Sequence, residues 1–158
     1  MQLEILSQSD SNTLNGLIQA ANNIVICCHK SPDGDAIGSS LAWAEYLRQV
    51  GKEPLIIVPD AFPDFLRWLP GVERVMRYDK HTAVCKERIA EADLIFCLDF
   101  NATNRVDDMQ QALETTTAQR VVFDHHLNPQ MDARLMVSLP QMMAWTSASR
   151  CRSVSTFW

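Results

Sequence analysis

The chain has 158 residues, 47% of them hydrophobic and 21% charged, with a net charge of −5. That length suits one domain with its own core, the composition excludes a disordered chain, and the acidic balance argues against a broad nucleic-acid-binding surface. The longest apolar runs, "NIVICC" and "DLIFCLDF", fall far short of the roughly 18 residues that span a bilayer, and "MQLEILSQSDSN" lacks the pattern of a signal peptide, so a cytoplasmic protein that engages no membrane is expected.

Hydrophobic period places a helix near 12–21 and a strand at 24–28, then a helix near 36–50 and a strand at 54–58. After Pro63, "DFLRWLPG" reads as a short helical turn, followed by an extended piece at 72–76, a helix near 81–91 and a strand at 94–98. A helix near 106–116 and a strand at 120–123 complete the alternation. The strands "IVICC", "LIIV", "LIFCL" and "VVF" are continuously apolar, the composition of strands buried on both faces. Helices separate nearly all of them, so the expected fold is α/β, a doubly wound and mainly parallel sheet with helices on both faces. Trp43, Tyr46 and Leu47 have the spacing of a helix's buried side. Cys27, Cys28, Cys85 and Cys97 lie in or beside apolar segments without a C-x-x-C pair, and are expected to be reduced core thiols.

Chemistry collects at strand ends. The strand at 24–28 is followed by His29, Asp33 and Asp35, the strand at 94–98 by Asp99, and the strand at 120–123 by Asp124, His125 and His126. In open parallel sheets the carboxyl ends of the strands are where ligands bind. Two carboxylates about 4 Å apart repel by roughly 4 kcal/mol at an effective dielectric of about 20. Such a cluster must hold protons or cations, and removing the four aspartate charges from −5 leaves −1. Carboxylates with imidazoles and no thiolate suit Mn²⁺ or Mg²⁺, the imidazoles favouring Mn²⁺. The donors suffice for two ions, an arrangement that hydrolyses phosphate esters. Gly34 is expected to let the loop turn between two aspartates, and Gly38, Ser39 and Ser40 to open a helix whose N–H groups face substrate phosphate.

The segments "HKSPDGDAIGS", "CLDF" and "DHH" resemble, in that order, the first three motifs of the DHH phosphoesterases, and the resemblance covers about 15–138. The wording around Gly34 is most similar to the small bacterial members that degrade short oligoribonucleotides and dephosphorylate 3′-phosphoadenosine 5′-phosphate. The resemblance implies two divalent ions, Mn²⁺ preferred and Mg²⁺ the alternative. His29 and Asp33 would hold one, Asp35 and His125 the other, and Asp99 would bridge them. His126 would contact the scissile phosphate and protonate the leaving oxygen, while Asp124 would orient the neighbouring imidazoles. Short oligonucleotides or nucleoside bisphosphates are the implied substrates, and a homodimer is compatible with the family. Pyrophosphatase or cyclic-dinucleotide phosphodiesterase activity is the alternative within it.

The family's fourth motif and C-terminal substrate-binding domain have no counterpart in these residues. The expected organisation is therefore a catalytic domain over 1–138, truncated before its fourth motif, and an irregular tail over 139–158 with the look of an out-of-frame reading. On that expectation a catalytically impaired fragment that only binds metal and nucleotide is the rival to an active enzyme. Arg105, in the loop beyond Asp99, is either a substrate-phosphate contact or a solvated loop residue; Asp60 reads as a turn or cap residue, and His81 as surface or cap.

Overall fold

The computed structural model describes residues 6–126 and 130–138. The first helix, α1 (Gln8–Ala20), opens on Ser7, whose hydroxyl accepts the Asp10 N–H. It starts ahead of the expected 12–21 because a side-chain cap, which leaves no apolar period, decides where it begins. β1 (Ile24–Cys28) and α2 (Gly34–Gln49) follow, then β2 (Leu55–Val58). The expected extended piece at 72–76 is instead a 3₁₀ turn, Val72–Arg74, reached through Gly71 at φ 84, with the short strand β3 (Met76–Arg77) behind it. α3 (Thr82–Ala90) and β4 (Leu94–Leu98) lie as expected.

The helix expected near 106–116 is broken. A 3₁₀ segment, Thr103–Met109, contains Asp107 at φ 49, and only Gln110–Thr115 is α-helical (α4). The Arg105 carbonyl accepts the Lys30 N–H at 2.7 Å, so this stretch is committed to the loop after β1 rather than to helical bonding. β5 (Gln119–Asp124) is followed by β6 (Leu135–Ser138), an edge strand that the sequence pattern did not announce. The expected tail over 139–158 lies outside the described residues.

All six strands are parallel, in the order β3-β2-β1-β4-β5-β6. Alternate residues of the central strands feed two cores. Ile24, Ile26, Phe96 and Leu98 pack with Leu14, Ile37 and Leu47 of α1 and α2. Val25, Cys27, Ile95 and Cys97 pack with Cys85, Ile89 and Leu113 of α3 and α4. Every residue of β1 and β4 is buried, which is why both read as unbroken apolar runs. Leu47 is fully buried, whereas Trp43 and Tyr46 are half-buried and stack on each other, with Trp43 edge-on to Phe96. Cys27, Cys28, Cys85 and Cys97 are buried free thiols. No helix among the described residues is long and apolar enough to cross a membrane.

Candidate metal centre

The chain leaves β1 toward β2 and leaves β4 toward β5, so the strand order reverses between β1 and β4, where a crevice opens in a doubly wound sheet. Cys28 is paired with Leu98 and Leu98 with Phe123, so His29, Asp99 and Asp124 emerge side by side. His29 Nε2 lies 3.4 Å from Asp99 Oδ2, and His125 Nε2 lies 3.0 Å from Asp99 Oδ1. Each oxygen of one carboxylate thus faces an imidazole nitrogen.

The His29 tautomer sharpens this. Its Nδ1 is 2.7 Å from the Lys30 carbonyl oxygen, which can only accept, so Nδ1 carries the proton. Nε2 then points a lone pair at the Asp99 carboxylate unless a proton or a cation stands between them. Hydrogen bonding to Asp99, opposed by burial, raises the His29 pKa. Burial works against ionisation of Asp99, yet the His29 hydrogen bond and the charges of His29, His125 and His126 hold its carboxyl below the usual range. Asp99 is 9% exposed.

Among the described residues, two groups have ligand atoms all within 4.8 Å of one another: His29, Asp33 and Asp99, and Asp99, Asp124, His125 and His126. Asp99 belongs to both. Asp35 joins neither; burial first, and then the Asp99 and Asp33 charges, raise its pKa. Asp124 bonds His126 through both oxygens, Oδ1 to Nδ1 at 2.6 Å and Oδ2 to the N–H at 3.1 Å. The donors are carboxylate oxygens and imidazole nitrogens. Burial, followed by the Asp99 charge, pushes the Cys28 thiol upward, so no thiolate competes. This set fits a hard or borderline divalent ion such as Mn²⁺ or Mg²⁺.

The loop between β1 and α2 is held from outside. Ser31, at φ 51, donates its N–H to Asp60 Oδ1 at 2.7 Å, and Lys30 pairs with Asp107. Among the described residues the positive-φ non-glycines are Ser31, Asp99 and Asp107, all in or against this loop, and such strain collects at functional sites. Asp60 is a turn residue as expected, with the added task of clamping Ser31. Lys30 and Asp107 were not singled out from sequence, since neither lies in a motif that names the other.

Several local expectations are corrected. α2 opens at Gly34 rather than at Gly38, Ser39 and Ser40, which fall in its second turn. Asp33 caps it, accepting the Asp35 and Ala36 N–H groups at 2.9 and 3.1 Å, so a phosphate meets a helix end already partly satisfied. Gly34 is helical with no positive φ, so the turn does not require glycine. Ser39 is exposed and donates to the Ala36 carbonyl at 3.2 Å. The Arg105 side chain is exposed, with no partner among the described residues. His81 stands at the N-cap of α3 without a side-chain cap bond.

A doubly wound domain with a carboxylate–imidazole cluster at its strand reversal defines a class of α/β proteins suited to holding divalent metal against phosphate. The profile described as DHH family, N-terminal domain, matches residues 23–155, and the chain belongs to that family of divalent-metal-dependent phosphoesterases. Over 50 residues, 32% of this chain and 15% of the relative, it is 48% identical to the bifunctional oligoribonuclease and PAP phosphatase NrnA of Thermus thermophilus. It superimposes on the crystal structure of an exopolyphosphatase-related protein from Bacteroides fragilis with a TM-score of 0.85 and 40% identity, covering 88% of this chain and 41% of that one. An α-glucosyltransferase bound to UDP and DNA shares the fold alone, at TM-score 0.56 and 14% identity over 73% of this chain and 37% of its own. The chain therefore spans less than half the length of the first two relatives.

Proposed function

We propose that this chain carries the metal-holding part of a phosphoesterase that hydrolyses short oligonucleotides or nucleoside 3′,5′-bisphosphates. The observation that carries this is Asp99, with an imidazole nitrogen on each oxygen. His29 and Asp33 would hold one ion and Asp35 and His125 the other, with Asp99 shared, and Mn²⁺ is preferred for the imidazoles. Bound there, divalent ions supply a water of lowered pKa and positive charge for phosphoryl oxygens.

The remaining steps belong to the protein. Asp124 accepts the His126 Nδ1 proton, which leaves Nε2 as the atom that holds or releases a proton at the leaving oxygen. Lys30, Asp107 and Asp60 keep the His29–Asp33 loop in place around the crevice. Arg105, exposed in the loop beyond Asp99, would meet a substrate phosphate, and exposed Ser39 lies on α2 behind the capping Asp33. The name of the Thermus relative supports nucleotide substrates; that of the Bacteroides relative favours a second reading, cleavage of a polyphosphate anhydride.

Calorimetric titration separates the two. The chain is expected to take up Mn²⁺, and the loaded protein to bind 3′-phosphoadenosine 5′-phosphate and a dinucleotide more tightly than tripolyphosphate. No Mn²⁺ uptake at millimolar concentration would overturn the metal centre, and preference for tripolyphosphate would favour the anhydride reading.

A further inference from the structure

We propose that the limb joining β2 to α3 is a docking track for single-stranded oligonucleotide, with Phe65 and Trp68 stacking bases and Arg74 and Lys80 meeting phosphates. This rests on reading the metal centre as part of a nucleotide phosphoesterase and adds what grips the part of the strand that does not react.

The limb is built from i→i+3 turns: the Arg67 N–H donates to the Asp64 carbonyl and the Leu69 N–H to the Leu66 carbonyl. The 3₁₀ helix itself is Asp64–Leu66, and Phe65 and Trp68, like Leu66 and Leu69, stand three residues apart, the spacing of one such turn. The leucines face inward, Leu66 buried and Leu69 packed on the core. Phe65 and Trp68 are 71% and 69% exposed. Scattered exposed apolar residues are ordinary, but two exposed aromatics three residues apart offer ring faces on which bases can stack. It stands close to the metal centre: the Leu66 side chain is 3.8 Å from where a Cβ on Gly34 would be, between Asp33 and Asp35.

The next turns lead to β3, an edge strand among the described residues, where a cleft of about 330 Å³ is lined by Glu73, Arg74, Arg77, Lys80 and His81 over Val75 and Met76. Arg77 is committed to Asp79 by a two-point bond at 3.0 and 2.6 Å. Arg74 is held only loosely, 3.7 Å from Glu73, and Lys80 makes no side-chain hydrogen bond or salt bridge among the described residues, although its charge acts on the adjacent Asp79. The limb itself, residues 59–81, is neutral, with four Lys and Arg against four Asp and Glu, but the cleft lining carries three, Arg74, Arg77 and Lys80, against Glu73 alone. Aromatic faces followed by available cations match the alternation of bases and phosphates along a single strand. An apolar protein surface would gain nothing from Lys80.

The test is fluorescence anisotropy of a labelled pentaribonucleotide with the Mn²⁺-loaded chain, beside calorimetric binding of 3′-phosphoadenosine 5′-phosphate and sedimentation of each variant. Phe65→Ala with Trp68→Ala is expected to weaken pentanucleotide binding about tenfold or more and to leave bisphosphate binding unchanged. Arg74→Gln with Lys80→Gln is expected to lower the magnitude of the slope of log affinity against log salt by about 1.4. Failure of wild-type protein to bind the bisphosphate would defeat the phosphoesterase reading. Normal bisphosphate binding with pentanucleotide affinity unchanged in both variants would overturn the track. So would a wild-type dimer that Trp68→Ala dissociates, which would make this surface a subunit interface.

Discussion

Asp99→Asn separates a metal-bridging carboxylate from an ordinary acidic strand end. Asp99 sits at φ 63, a left-handed conformation that Asn tolerates, whereas most side chains adopt it at a cost of roughly 1–2 kcal/mol. Asn also keeps the backbone N–H bond to the Phe123 carbonyl at 3.0 Å, so the substitution removes charge and little else. A ligand bound only by the folded state adds about 2.7 kcal/mol at a hundredfold excess over Kd. A domain of this size shifts by roughly 2–4 °C per kcal/mol, so Mn²⁺ is expected to raise the wild-type melting midpoint by about 5–10 °C. Because both donor groups share Asp99, the variant is expected to show almost none of that rise. Without metal the sign changes: Asp33 and Asp99 oxygens lie within 4.8 Å, a repulsion of roughly 3.5 kcal/mol at a dielectric of about 20. Above the histidine titration range the metal-free variant should therefore melt at or above wild type. Circular dichroism melts with and without Mn²⁺, repeated with Mg²⁺, read both effects. Asp60→Asn is the control, since its amide oxygen can still accept the Ser31 N–H. A shared role for Asp99 in metal binding is refuted if Asp99→Asn keeps more than half of the wild-type rise, or if Asp60→Asn loses as much.

Phe96 is fully buried, edge-on to Trp43 at 5.2 Å and stacked on Phe123 at 6.1 Å, so Phe96→Ala is expected to cost about 3–5 kcal/mol in urea unfolding. Gly71→Ala, at φ 84, should lower stability by roughly 1–2 kcal/mol, while Gly34→Ala, helical and with its nearest neighbour at 3.8 Å, should not lower it; comparable losses would contradict the backbone account. Asp93 accepts the Asn23 and Asn22 N–H groups, each at 2.8 Å, and these bonds hold its pKa below the ordinary value. Its contribution is complete above the unfolded pKa near 3.9 and is lost as pH falls through the lower native value. The midpoint difference between wild type and Asp93→Asn should accordingly shrink below about pH 4, and a constant difference from neutral to acid would refute it.

The sequence by itself determined the central strands and marked the residues of the candidate metal centre. "IVICC" and "LIFCL" are apolar throughout because each residue is buried on one face or the other, so burial leaves its mark directly on the pattern. His29, Asp33, Asp35, Asp99, Asp124, His125 and His126 were recognisable because each follows a strand whose end the pattern marks. Local pattern does not record which strands are neighbours. Only the sheet order sets β1 beside β4 and brings His29 against Asp99, and only the assembled loop shows Asp60, Lys30 and Asp107 as its supports. The same limit explains the departures from expectation. β6 is a four-residue edge strand whose identity comes from its pairing with β5, and the helix expected near 106–116 breaks at Asp107 because the Arg105 carbonyl is engaged by Lys30. Period and composition report how deeply a residue is buried; the partner it meets is fixed by long-range pairing between segments far apart in the chain, which forms only when the sheet closes over its two cores.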